Sequence, residues 1–129
     1  IPGAIELKLP EFTDSYIAAV WDSERQENFS SKLQAFFTAS SEISGKNIDQ
    51  MNTSDWDAVL AKYLKTGNEI SDGEKDAAAF ARELRSLTVN AFKTNEFIGE
   101  NVLAYAPIPG EQKGCVDLME TTGGKAWSL

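Results

Sequence analysis

Histidine is absent from all 129 residues, and cysteine occurs once, as Cys115. Without histidine there is no Ser-His-Asp or Cys-His nucleophilic machinery, no imidazole metal site and no Cys-x-x-Cys-His attachment for c-type haem. One cysteine can neither hold an iron–sulfur cluster nor close an internal disulfide. If the chain serves a redox system, the redox centre lies elsewhere. Positive charge is also scarce: 12 Lys and Arg stand against 20 Asp and Glu, giving a net charge of −8 and a pI near 4.5. That balance argues against a phosphate backbone as partner. No apolar run approaches the ~18 residues of a membrane helix. The opening stretch, IPGAIELKLPEF, has no basic n-region or apolar h-region. It reads as a trimmed or processed chain, so that any targeting signal is out of view.

What is present is a core's worth of apolar residues, 42% of the chain, arranged with helical periodicity and sized for a single domain spanning 1–129. Pro2-Gly3 and Pro10 punctuate an extended lead-in over residues 1–10. From Pro10, the spacing places Phe12, Tyr16, Ala19 and Val20 on one helical face. Asp22 or Ser23 caps a second helix with Phe29, Leu33, Phe36, Phe37 and Ile43 on its stripe, and Gly45 ends it. In NTSDWDAVLAKYLKTG, Thr53 or Ser54 is the expected cap; Trp56, Val59, Leu60, Tyr63 and Leu64 form the stripe, and Gly67 is the stop. Asp72 can cap the longest helix, roughly 73–93, whose apolar face is Phe80, Leu84, Leu87, Val89 and Ala91. A short helical turn follows around 95–103. The expected fold is all-α: a small bundle of about four amphipathic helices with a long irregular C-terminal strap over residues 102–129.

The motifs that could carry chemistry are weak. Glu24, Glu27, Asp49, Asp55, Asp57, Glu69, Asp72, Glu74, Asp76 and Glu83 fall on solvent faces or in first helical turns, whereas general acid/base catalysis needs a pair held in a dry cleft. NIDQMNTSD lacks the central glycine and terminal glutamate of a calcium loop. TTGGKA resembles a phosphate loop only in part, because Ala126 follows Lys125 where Ser or Thr is required; a turn before Trp127 is the plainer reading. The aromatic residues Phe12, Tyr16, Phe29, Phe36, Phe37, Trp56, Phe80 and Phe92 are expected in the core. Tyr105 and Trp127 differ, since no helix buries them.

The strap's apolar anchors do not by themselves offset the entropy of ordering it. It should be firm only when held between this bundle and something else. Tyr105, Pro107, Ile108, Pro109, Cys115 and Trp127 are therefore the candidate partner-binding residues. Cys115 has two readings, a small buried hydrophobe or one half of an intermolecular disulfide.

FIGENVLAYAPIPGEQKGCVDL, with GKAWSL, resembles the C-terminal signature of the gluconate 2-dehydrogenase subunit 3 family. Its members read aromatic–Thr–(Ser/Asn)–Glu–x–x–Gly, then Val-Leu-x-Tyr-x-Pro-x-Pro-Gly, then Gly-Cys and Gly-x-Ala-Trp. The matching residues run from Phe92, Thr94, Glu96 and Gly99 through Val102, Leu103, Tyr105, Pro107, Pro109 and Gly110 to Gly114, Cys115, Gly124, Ala126 and Trp127. Pro2, Gly3, Ala4, Pro10, Phe12 and Asp14 match the family's opening segment, with Leu9 in place of valine and Thr13 in place of isoleucine. The resemblance implies a small accessory subunit, itself without catalytic, cofactor or metal residues. It would accompany a large FAD-dependent dehydrogenase of sugars or sugar acids, with a cytochrome c subunit taking the electrons. It also implies export to the periplasm, often by a twin-arginine signal. The alternatives are a stand-alone helical domain binding a small ligand or peptide, and a stand-alone enzyme using a carboxylate pair.

Overall fold

The computed structural model describes residues 3–65, 69–104 and 115–126. The chain is all-α, with helices packed as a small bundle. Among the described residues, four helices of twelve or more residues are α1 (Leu9–Val20), α2 (Ser23–Ser44), α3 (Thr53–Leu64) and α4 (Lys75–Lys93), and a fifth, α5 (Leu118–Thr122), is short. The chain divides into two compact units, Asp14–Leu87 and the paired ends Ile1–Thr13 with Thr88–Leu129.

Local chemistry sets the helix ends. Asp22 caps α2 by accepting from Arg25 N at 2.8 Å. Gly45 closes it at φ 66°, a left-handed conformation that glycine adopts without a Cβ clash, and its N–H returns to Ser41 O. The cap of α3 is Asn52, not Thr53 or Ser54. Its side chain accepts from Asp55 N, while Asp55 Oδ2 accepts from Asn52 N, closing a reciprocal box. Lys46 binds the same carboxylate at 2.7 Å. α4 starts at Lys75, after a 3₁₀ turn over Asp72–Glu74. α2, with 22 residues, is therefore the longest helix, ahead of α4 with 19. The expected stop at Gly67 lies outside the described residues.

Two expectations near the N-terminus are corrected. Residues 3–8 are not extended but form hydrogen-bonded turns: Leu7 N reaches Gly3 O, Lys8 N reaches Ile5 O, and Leu9 N reaches Ala4 O. Lys8 there takes a positive φ of 54°. In α1, the stripe expected in the core faces solvent. Phe12, Tyr16 and Val20 are 51%, 41% and 60% exposed, whereas Leu9 is buried and Thr13 and Ile17 are half-buried. The inner line is Leu9–Thr13–Ile17, one residue-step around the helix from the stripe that the aromatic residues mark.

In the Asp14–Leu87 unit the core is built around Phe36, from α2 (Phe36, Ala39), α3 (Val59, Tyr63) and the first half of α4 (Ala77, Ala78, Phe80, Ala81). The Phe36 ring lies 5.2 Å from Phe80 and 6.2 Å from both Trp56 and Tyr63. Phe29 joins Phe80 to Trp21, at 4.9 and 5.2 Å between centroids. These offset and edge-on geometries suit aromatic quadrupoles.

Candidate functional site

The candidate partner-binding residues fall mostly where the structure makes no statement: Tyr105, Pro107, Ile108, Pro109 and Trp127 lie outside the described residues. Cys115 is described and exposed, against the reading of it as a buried hydrophobe. It begins a segment that is joined to residues 98–104. A single π-helical turn, Ile98–Val102, buries Ile98 and Gly99, and Leu103 N closes it onto Ile98 O. Asn101 Nδ2 donates to Phe97 O and holds the turn's outer side. Ala104 N then donates to Ala126 O at 2.7 Å, and Lys125 Nζ to Asn101 O at 3.2 Å. α5 is capped by Asp117, which accepts from Glu120 N, and terminated by Gly123 at φ 62°. Gly124, at φ 82°, sits under Met119: a Cβ there would meet Met119 Sδ at 2.9 Å. TTGGKA is thus a helix-ending turn, as its incomplete motif implied.

Phe97, Val102, Val116, Leu118 and Met119 stand on these two joined segments and are 46–67% exposed. Burial of large apolar side chains is a main source of stability in a folded domain and of affinity in an interface. Here such side chains are left on the surface.

Two of the described carboxylates, Asp55 and Glu74, are held in ion pairs with lysines. Hydrogen bonds from Lys46 and from the Asn52 N–H hold Asp55 below the usual carboxylate range. Glu74 is lowered to about 2, first by the hydrogen bond from Lys62, then by that from Ser71. Tyr63 also donates to Glu74, at 3.0 Å, and burial, followed by that carboxylate, pushes its phenol well up. A general acid working near neutral pH needs its carboxyl raised, and these two are driven the other way. Among the described residues, no three acidic or cysteine side chains converge to hold a metal ion. No described helix is long and apolar enough to cross a membrane. An open cleft of about 320 Å³ is lined by Asp22, Glu24, Arg25, Asn28, Phe29, Lys32 and Glu83. Its cations are engaged within the protein: Arg25 and Lys32 both lie 3.6 Å from Glu83, and Arg25 stacks 4.0 Å from the Trp21 ring centre.

The sequence profile of gluconate 2-dehydrogenase subunit 3 matches residues 1–110. The chain belongs to the gluconate 2-dehydrogenase subunit 3 family. The matched span contains Tyr105, Pro107, Ile108 and Pro109 and stops short of Cys115 and Trp127. No curated protein and no solved structure matched the chain. Membership in a subunit family implies a complex with other dehydrogenase subunits, and the exposed side chains of Phe97, Val102, Val116, Leu118 and Met119 are the kind of surface that such a complex would cover. Leu118 and Met119 are among the strap's expected apolar anchors, whereas Phe97 was missed, because helical spacing marks apolar residues without saying which face a neighbour covers.

Proposed function

We propose that this subunit 3 family protein is the non-catalytic small subunit of an exported, flavin-dependent sugar or sugar-acid dehydrogenase. In that role it supports the folding, stability or export of the large subunit. FAD and the oxidation chemistry belong to the large subunit, and a cytochrome c subunit takes the electrons. The observation that carries this reading is the family match over residues 1–110. It is supported by the exposed apolar side chains Phe97, Val102, Val116, Leu118 and Met119. Export to the periplasm through a twin-arginine signal, shared with the folded partner, is part of the same proposal.

Tyr105, Pro107, Ile108, Pro109, Cys115 and Trp127 are proposed as partner contacts, with Cys115 placed to form an intersubunit disulfide in an oxidising compartment. Capture of the cognate flavoprotein subunit on tagged wild-type chain, on a chain ending before Tyr105 and on Cys115→Ser tests this. Truncation is expected to abolish capture, and the wild-type complex should show a cross-link that reductant removes. Full capture by the truncated chain would overturn the strap's role; sugar oxidation by the isolated chain would overturn the accessory reading itself.

A further inference from the structure

We infer that residues 96–103 together with residues 115–122 form the face that docks on the large subunit, against an apolar region of that subunit that carries basic residues. This inference rests on the accessory-subunit reading above and adds the surface and its chemistry. Among the described residues of the unit formed by the chain ends, exposed large apolar side chains outnumber buried apolar ones, whose set is Leu9, Ala91 and Ile98. In Asp14–Leu87 the reverse holds, with a core built around Phe36. A folded unit that leaves Phe97, Val102, Val116, Leu118 and Met119 in water has the makeup of an interface core, where Phe and Met are enriched.

The arrangement is held in place. The hydrogen bonds Ala104 N to Ala126 O and Lys125 Nζ to Asn101 O join the two segments, and Met119 is seated on Gly124. Charge selects the occupant. Glu96, Glu100, Asp117 and Glu120 are exposed among these apolar residues. Residues 96–103 and 115–122 hold no lysine or arginine, and the nearby Lys125 is tied to a backbone carbonyl. Exposed carboxylates interleaved with apolar residues complement basic residues on a partner, disfavour a second copy of the same face and repel an anionic membrane.

The test uses the full chain and the purified cognate large subunit, with affinity and association rate measured by surface plasmon resonance and folding checked by circular dichroism. Leu118→Glu combined with Met119→Glu is expected to weaken binding by about 100-fold or more, as loss of a central apolar contact does. Ile43→Glu, an exposed position in Asp14–Leu87, is expected to leave it within about threefold. Glu96→Lys with Glu100→Lys should slow association about tenfold and flatten its salt dependence. These charge variants keep the test decisive if the apolar double variant misfolds. Unchanged binding in both sets, loss of binding in Ile43→Glu, or a homodimer that Leu118→Glu dissolves would each overturn the proposal while the subunit reading stands. If the wild-type chain fails to bind the large subunit, the subunit reading falls, and the docking face with it.

Discussion

Glu74 receives hydrogen bonds from Lys62, Tyr63 and Ser71, and so ties α3 to the turn that launches α4. Tyr63 is fully buried, and its hydroxyl is satisfied only because a carboxylate meets it at the core's edge. Removing the charge leaves Lys62 and Tyr63 poorly matched. Glu74→Gln is expected to destabilise the fold by about 1–2 kcal/mol in denaturant melts at neutral pH. The pH dependence follows from the folded pKa of about 2, against 4.5 for the free group. The ionised carboxylate contributes its full stabilisation above about pH 4.5, and that contribution is lost as pH falls towards 2. The gap between wild type and Glu74→Gln should therefore narrow across that window. A gap that stays constant down to pH 2 would contradict the assignment.

The helices divide into those whose ends the sequence spelled out and those whose packing it did not. α2 was readable because Asp22 and Gly45 are each the kind of residue a helix end requires, and the structure uses both. α3 was displaced by one residue. Asn52, Thr53 and Ser54 all cap helices, and both Asn52 with Asp55 and Ser54 with Asp57 have the spacing of a box. Lys46, distant in sequence but bound to Asp55, favours the first pair. Asn52→Ala is expected to cost about 1 kcal/mol in thermal or chemical unfolding, with Thr53→Ala within about 0.5 kcal/mol; the opposite order would return the cap to Thr53. In α4, Ala77, Ala78 and Ala81 are core residues that the expected apolar face did not include. Periodicity weighs apolar residues by size, and so overlooks small ones. α1 fails for the related reason that Phe12 and Tyr16 outshine the inner line of Leu9 and Ile17. The turns of residues 3–8 depend on Lys8 at positive φ, a conformation that lysine's identity does not announce. Phe36→Ala, at the meeting point of three helices, should cost about 3–5 kcal/mol.

Taken whole, the chain has a tightly built core in Asp14–Leu87 and an apolar surface in the unit made from its ends. The candidate site was legible as a region, because a proline- and glycine-rich tail with scattered anchors has no helix to shelter it. Leu118 and Met119 were legible among those anchors, but Phe97 becomes notable only once its exposure is known. Together with membership of the subunit 3 family, that surface makes the central proposal one about dependence, in which the protein would sustain a larger flavin-bearing chain. The direct measurement is the yield of soluble, flavin-loaded large subunit when it is expressed alone and when it is co-expressed with this chain. The account predicts a several-fold rise in flavin-loaded large subunit, recovered in stoichiometric complex with this chain. Equal yield and flavin content in both cases, with the two chains eluting separately, would contradict it.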